Sequence, residues 1–187
     1  MHYYWSIAPE LRSDIAELGA DTPAFWRRHA ERQVAAFDLE PGQAARLAEH
    51  VNTMFVTRYR PVNHVAADVR PTLAGLRAAG YTVGLVSNRS APLGPLAAEL
   101  GLLDLFHFTL AAGEAGAYKP APEIFLKAVD LAGCGPAEAV YVGDNYYADI
   151  EGARGAGLRP VLIDPRGLFP EAGCAVIHTI GDLPAHL

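Results

Sequence analysis

The α/β rhythm of the chain after residue 71 limits its fold more than any other feature. Short apolar runs rich in β-prone residues alternate there with amphipathic stretches that begin near Pro and end at Gly. Helices are predicted over 71–79, 92–100, 122–132 and 146–156, and strands over 81–86, 106–110, 140–142, 160–163 and 175–177. Such alternation predicts the α/β class with a doubly wound parallel sheet. The nearly continuous apolar character of 81–86 is typical of a buried parallel strand.

The first third of the chain reads as helical. Apolar residues recur every three to four positions over 7–18. Thr22 and Pro23 predict an N-cap and a first helical position, for a helix running to about Phe37. A third helix is predicted from Pro41, with an apolar face made of Leu47, Val51, Met54, Phe55 and Tyr59. We therefore predict a helical subdomain over residues 1–66 and an α/β core over 67–187.

The composition of the chain limits the binding partners and the cellular compartment that we expect. The 187 residues are 51% hydrophobic and carry a formal net charge of −6, which argues against a nucleic-acid backbone as partner. No segment has the apolar length of a membrane span, and the N-terminus has no signal-peptide pattern. Cys134 and Cys174 match no metal or redox spacing. We expect a cytoplasmic protein that binds neither nucleic acid nor membrane.

Two carboxylates stand where the strand 140–142 ends. Gly143 allows a tight turn, Asp144 follows the strand, and Asp149 comes at the start of the next helix. Open α/β sheets bind ligands at this edge. Two carboxylates with no basic residue between them repel each other unless a cation lies beside them, and Mg²⁺ suits one or two carboxylates. The alternative is an N-cap Asp plus a surface Asp.

Polar groups follow two further elements. The strand 81–86 leads into Ser87 and Asn88, whose hydroxyl and backbone N–H groups can bind a phosphate or simply form a turn. Lys119 precedes the helix at Pro122 and can place a point charge in the crevice, although a lone Lys before Pro is usually solvated.

Taken in order, these three sites resemble the haloacid dehalogenase (HAD) superfamily, over about residues 69–187. The strings that carry the resemblance are VRPTLAGLRAAGYTVGLVSN, YKPAPEIF and VYVGDNYYADIEGARGAGLRPVLID. The resemblance implies a Rossmannoid core with a helical cap, here residues 1–66. It also implies a Mg²⁺-dependent phosphatase that acts on a small phosphorylated metabolite through an aspartyl-phosphate intermediate.

The resemblance also assigns roles to residues. Ser87 and the Asn88 amide would bind the transferring phosphoryl group, and Lys119 would stabilise its charge. Asp144 would bind Mg²⁺, with Asp149 supporting the ion directly or through water. These roles agree with phosphoryl-transfer chemistry, in which positioning and charge neutralisation dominate.

The sequence departs from the family at its first motif. The family's nucleophile stands in an Asp-x-Asp motif after a first strand, and this sequence contains no Asp-x-Asp. Without a nucleophile, aspartyl-phosphate chemistry has no first step. The family's first strand also lies mid-sheet, between the strands at 81 and 140. Without it the facing edges of these two strands have no partner, so we expect either that something fills the slot or that the sheet closes up.

Three explanations stand. In the preferred one, a segment upstream of Met1 holds the strand and its Asp pair, and the chain alone folds poorly. In the second, residues 2–5 form a degenerate first strand with Ser6 and Ala8 at the Asp positions, which makes a catalytically inactive HAD-fold binding protein. In the third, Asp164 is the nucleophile of a permuted motif. The chain as given is expected to bind Mg²⁺ weakly and to lack phosphatase activity. Its oligomeric state is not predicted.

Overall fold

The computed structural model of the chain describes residues 9–19, 22–58 and 62–187. They form two compact units, a helical unit that ends at Asn63 and an α/β unit from His64 to Leu187. The segment 2–5 and positions Ser6 and Ala8, on which the degenerate-strand explanation depends, lie outside the described residues. Over the three described ranges, no helix is long and apolar enough to cross a membrane.

The helical unit contains α1 (Pro9–Leu18), α2 (Pro23–Val34) and α3 (Pro41–Arg58). The start of α2 confirms the prediction, because Thr22 Oγ1 accepts a hydrogen bond from Phe25 N at 3.1 Å and Pro23 takes the first helical position. The helix ends at Val34, earlier than predicted. Phe37 is 63% exposed, so no burial of its ring rewards a further turn.

A charged cluster ties α1 to α2. The Asp14 carboxylate is buried and accepts hydrogen bonds from Arg32 Nε at 2.5 Å and Arg32 Nη2 at 2.8 Å. Arg28 Nη1 lies 3.6 Å from the same carboxylate. The hydrogen bonds from Arg32 hold the pKa of Asp14 below its ordinary value. This bidentate pair joins α1 to α2 by two charge-assisted hydrogen bonds.

Small side chains set the contact between α2 and α3. Ala44, Ala48 and Val51 of α3 pack against Ala30 and Val34 of α2. Alanines at spacings of three to four residues allow close approach of two helices, so the stripe that carries them becomes the buried one.

The predicted apolar face of α3 is therefore only partly right. Val51 and Phe55 are on the packed side, where Phe55 stacks on Trp26 with ring centroids 4.8 Å apart. Leu47 and Met54 are each 37% exposed. The remaining member, Tyr59, lies outside the described residues. A periodicity that counts only large apolar residues misses the alanines that bring the helices together.

The α/β unit follows the predicted alternation. Its strands are β1 (Gly84–Ser87), β2 (Phe108–Ala111), β3 (Val140–Gly143), β4 (Arg159–Ile163) and β5 (Ala175–Ile177). Its α-helices are α4 (Val69–Ala78), α5 (Gly94–Glu99), α6 (Ala112–Ala115), α7 (Pro122–Ala132) and α8 (Gly152–Gly155). A π-helical turn spans Tyr146–Glu151, and 3₁₀ turns span Leu103–Leu105, Pro136–Glu138 and Ile180–His186.

The strands form two parallel ladders. One joins β1 to β2, with Gly84 opposite Phe108, and the other has the order β3–β4–β5, with Val140 opposite Arg159. The parallel pairing confirms the predicted doubly wound α/β class. Among the described residues no ladder joins β1 to β3, so the sheet does not close by pairing these strands.

The first strand of the unit begins later than predicted. Tyr81 is 47% exposed and lies outside β1, which starts at Gly84. Val83 N donates to the imidazole Nδ1 of His107 at 3.0 Å, while His107 N donates to Val83 O at 2.8 Å. A side chain thus takes the place of a backbone acceptor, and regular pairing begins one residue later.

Two of the three apolar clusters in the core of the α/β unit hold its longer helices. The first gathers Ile124, Phe125, Ala128 and Val129 of α7 with Leu110 of β2. The second joins α4 to β4, β5 and the C-terminal 3₁₀ turn through Leu76, Val161, Ile177 and Leu183. Because one face of α7 is fully buried, the loop that leads into its N-terminus has a fixed position, and that loop contains Lys119.

Candidate active site

Lys119 joins the chain after β1 to the chain around β3. The Asn88 side chain accepts a hydrogen bond from Lys119 N at 2.7 Å and donates one to Lys119 O at 2.9 Å, which fixes the lysine backbone from both sides. The ammonium Nζ donates to Asp149 Oδ1 at 2.6 Å and to the Tyr141 hydroxyl at 3.0 Å. The lysine is only 9% exposed. It is a buried connector between two strand ends, in contrast to a solvated surface lysine.

The charges of this cluster reinforce each other. Burial alone would lower the pKa of Lys119, but attraction to Tyr141 and Asp149, with a hydrogen bond to each, outweighs burial and raises it. Burial raises the pKa of Tyr141 to about 12. At neutral pH the lysine is therefore a cation and the tyrosine a neutral hydroxyl.

The turn after β3 returns Asp149 to the strand end. Asn145 N donates to Asp149 Oδ2 at 2.9 Å, and Asn145 Oδ1 accepts from Ala148 N at 2.9 Å. A Cβ at position 143 would lie 2.4 Å from the Asp149 side chain, so only glycine fits there. The predicted helix over 146–156 is wrong in its first part, which is a π-helical turn that ends as α8 begins. Such wider turns are frequent at functional sites.

The two carboxylates have different surroundings. Each Asp149 oxygen accepts a hydrogen bond, and the cation beside it is the Lys119 ammonium, so the repulsion that suggested a bound cation is relieved by the protein itself. Asp144 follows β3 and is exposed. Within the described ranges, no three or more His, Cys, Asp or Glu side chains are grouped to hold a metal ion.

Ser87 is the last residue of β1 and pairs with Ala111 of β2, in a half-buried position. Asn88 comes next, and its side chain holds the Lys119 backbone. The structure thus brings Asn88, Lys119 and Asp149 into one chain of hydrogen bonds. The phosphate-binding roles of Ser87 and the Asn88 amide remain predictions.

The aromatic residues near these motifs differ in their contacts. Tyr118 makes a hydroxyl–hydroxyl hydrogen bond of 2.9 Å with Ser90. Tyr146 stacks on Phe169, with centroids 5.0 Å apart and rings inclined by 8°. Tyr146 is therefore a packing residue of the turn after β3, whereas Tyr118 lies beside Lys119 in sequence, with its hydroxyl at the chain that follows β1.

Asp164, the alternative nucleophile, closes the turn after β4. It is 4% exposed, its Oδ2 accepts from Phe169 N at 2.9 Å, and its Oδ1 accepts from Arg166 N at 3.3 Å. Both oxygens thus hold backbone amides, which gives this carboxylate a structural role as a turn cap.

A family model described as "Hydrolase: haloacid dehalogenase-like hydrolase" matches residues 2–157. The chain belongs to this family. A glyceraldehyde 3-phosphate phosphatase of Methanopyrus kandleri is 36% identical over 160 residues, which covers 82% of this chain and 64% of that protein. A phosphoserine phosphatase of Thermus thermophilus is 35% identical over 156 residues, covering 82% and 61%. This HAD-like chain thus spans less than two thirds of the length of these relatives.

Solved structures agree with the family. A 2-haloacid dehalogenase from Pseudomonas syringae aligns with a TM-score of 0.62 at 32% identity, over 94% of this chain and 77% of that one. A HAD phosphatase from Thermococcus onnurineus aligns with a TM-score of 0.62 at 25% identity, over 94% and 85%. Both a dehalogenase and a phosphatase therefore share the fold of this HAD-like chain.

Two residues of the cluster in this HAD-like chain are given no role by the sequence motifs. Tyr141 stands in the predicted strand 140–142 as a β-prone residue, although a hydroxyl inside an apolar run signals a hydrogen-bond partner. Asn145 stands just before the turn, and Asn is a favoured N-cap whose side-chain oxygen accepts from the N–H groups of the turn that follows.

Proposed function

We propose that this chain carries the phosphate-binding side of a Mg²⁺-dependent phosphatase site for small phosphate esters. Lys119 supplies the positive charge for the phosphoryl oxygens. The Ser87 hydroxyl and the backbone N–H of Asn88 bind the same group. Asp144 is the carboxylate for the metal, and Asp149 fixes the lysine. The names of the relatives, phosphatases of glyceraldehyde 3-phosphate and phosphoserine, support a small metabolite as the substrate class.

One observation carries the proposal, the way Lys119 is held. Its backbone is clamped by Asn88 and its ammonium by Asp149 and Tyr141, so the cation has a fixed position at the carboxyl ends of β1 and β3. A cation that is positioned before the ligand arrives costs no reorganisation when it binds charge, and this is the largest contribution an enzyme makes to a charged transition state.

The donor set of the turn after β3 fits Mg²⁺. The ion takes one or two carboxylates and fills its other positions with water and phosphate oxygens. Asp144 presents an exposed carboxylate, while both oxygens of Asp149 already accept hydrogen bonds, which favours support of the ion through water. When bound, the ion would neutralise charge on the phosphoryl oxygens.

The same sequence lacks the family's nucleophile, which favours a second candidate function. No Asp-x-Asp occurs in the 187 residues, and Asp164 is engaged as a turn cap. These facts favour a chain that binds phosphate esters without cleaving them, as a catalytically inactive HAD-fold binding protein would. The two candidates share the binding site and differ only in whether a nucleophile reaches it.

The proposal predicts that the chain retains p-nitrophenyl phosphate but does not hydrolyse it. Loss of a catalytic nucleophile costs on the order of 10⁴–10⁶ in rate, so no nitrophenolate should form above background with Mg²⁺ present. Equilibrium dialysis should show intact ester bound to the wild type and not to Lys119→Met, each verified as folded by near-UV circular dichroism.

Two results would contradict this expectation. Equal retention by Lys119→Met would remove the lysine from the binding site. Sustained hydrolysis that disappears in Asp164→Asn would make Asp164 the nucleophile and revive the permuted motif, while hydrolysis unaffected by that substitution would place the nucleophile elsewhere in the chain.

A further inference from the structure

The ammonium of Lys119 has three protons and, among the described residues, two hydrogen-bond partners. One proton goes to Asp149 Oδ1 and one to the Tyr141 hydroxyl. We infer that Tyr141 is a positioning residue, which shares the Lys119 protons with Asp149 so that the third N–H is directed to the phosphoryl group. This inference rests on the proposed function and assigns to the middle of β3 a role that the site motifs do not include.

The position of Tyr141 suits this role. It lies within β3, pairs with Pro160 of β4, and its ring meets Phe125 edge to face with centroids 4.8 Å apart. The strand and the buried ring of Phe125 leave the tyrosine little freedom. The hydroxyl is therefore held at a fixed point, 3.0 Å from Nζ.

Packing alone does not account for the hydroxyl. A phenylalanine would keep the contact with Phe125 and would bury no polar atom, whereas a hydroxyl removed from water costs free energy unless it is hydrogen-bonded. Lys119 Nζ lies 5.4 Å from the centroid of the Tyr141 ring and 3.0 Å from its hydroxyl, so the tyrosine meets the cation with its hydroxyl end. The Tyr141 hydroxyl is thus a second acceptor for the ammonium, in addition to Asp149 Oδ1.

Two acceptors, Asp149 and Tyr141, hold the direction of the Lys119 N–H bonds more closely than a single carboxylate would. A carboxylate alone attracts an ammonium but lets it rotate, because its oxygens offer several equivalent acceptor directions. A second acceptor fixes the rotation about the terminal bond of Lys119. With rotation fixed, the remaining N–H points in one direction, and preorganised donors of this kind bind developing charge most strongly.

The composition of the chain provides a direct reporter. Its only two lysines are Lys119 and Lys127. Lys127 Nζ donates to Glu114 O at 2.9 Å in an exposed position. Nitrogen-15 labelling of lysine therefore gives ammonium spectra in which a shielded, slowly exchanging Lys119 signal is compared with an exposed control in the same molecule.

The test compares wild type, Tyr141→Phe and Tyr146→Phe by lysine ammonium NMR and by titration with inorganic phosphate in the presence of Mg²⁺. Tyr141→Phe should shift the Lys119 resonance, speed its hydrogen exchange and weaken phosphate binding about tenfold, the effect of losing one hydrogen bond to a charged group. Tyr146→Phe removes a hydroxyl with a 3.4 Å contact to Ala172 O and should change none of these.

A second measurement protects the test against misfolding of the variant. Labelling with 3-fluorotyrosine weakens the hydroxyl as an acceptor without removing it and should shift Lys119, while Lys127 stays unchanged. If the Lys119 resonance, its exchange rate and the phosphate affinity are all unaffected in Tyr141→Phe, Tyr141 is a packing residue and the inference is wrong. If the wild type binds no phosphate, the proposed function is wrong. The contact between Tyr141 and Lys119 is then judged from the spectra of the free proteins, and a Lys119 resonance that is the same in wild type and Tyr141→Phe would reject it.

Discussion

Replacing Asp149 with alanine is expected to lower the free energy of unfolding by about 3–5 kcal/mol, because it leaves the Lys119 ammonium buried without its carboxylate. The lysine is 9% exposed, so water can replace the lost partner only in part. The same substitution also removes the acceptor of Asn145 N and loosens the turn after β3. With a total stability of about 5–15 kcal/mol for a typical domain, this one change approaches the limit of what the fold tolerates.

A double variant separates the charge from the packing. Lys119→Met combined with Asp149→Leu removes both charges and keeps apolar volume, and replacing a buried ion pair in this way is often neutral. Urea unfolding of the wild type, of the single variants Lys119→Met and Asp149→Leu, and of the double variant gives the coupling free energy between the two side chains. The free energy of unfolding of the double variant should be close to that of the wild type, unlike that of either single variant. Single variants whose losses simply add would show that the two side chains do not interact.

Replacing Asn88 with alanine should cost about 2–4 kcal/mol, because two backbone groups of Lys119 lose their partners at about 1–3 kcal/mol each, with some relief from water. The larger consequence is for binding. The clamp of Asn88 on the Lys119 N–H and C=O links the end of β1 to the cluster at β3. Without it the Lys119 backbone is no longer tied to the end of β1, and phosphate affinity should fall at least tenfold.

Asn145→Ala is the matched control. It removes one side-chain hydrogen bond at a helix start, to Ala148 N, and should cost about 1 kcal/mol. The Asn145 backbone N–H keeps its bond to Asp149, so Lys119 stays in place. Urea unfolding and phosphate titration of Asn88→Ala and Asn145→Ala measure the two effects. Equal effects of the two substitutions on phosphate affinity would mean that the Asn88 clamp has no special role.

The sequence predicted most of the α/β unit, because short apolar strands and Pro-to-Gly helices are local patterns. It failed where a side chain replaces a backbone group. His107 delays the start of β1, and Asp149 returns to the Asn145 amide inside a π-helical turn. Neither event alters the periodicity of apolar residues, so neither is visible before the chain is folded.

The sequence indicates which residues belong to the site and their order along the chain, but it does not indicate which of them contact each other. Lys119 and Asp149 are thirty positions apart, and no local rule shows that the ammonium of one meets the carboxylate of the other. The sequence therefore predicted a bound cation from the two carboxylates, Asp144 and Asp149, and did not predict that the Lys119 ammonium lies against Asp149. The tyrosine that completes the cluster was hidden in a strand, where an aromatic residue is expected for packing alone.

The coupling between Mg²⁺ and phosphate binding tests the account most directly. In calorimetric titrations of the full chain, Mg²⁺ alone should bind weakly, and saturating phosphate should tighten Mg²⁺ by the same factor, about tenfold, by which Mg²⁺ tightens phosphate. Asp144→Asn should abolish this coupling, and Lys119→Met should abolish phosphate binding itself. Phosphate binding that is independent of Mg²⁺, or that survives intact in Lys119→Met, would contradict the assignment of this cluster as a metal-assisted phosphate site.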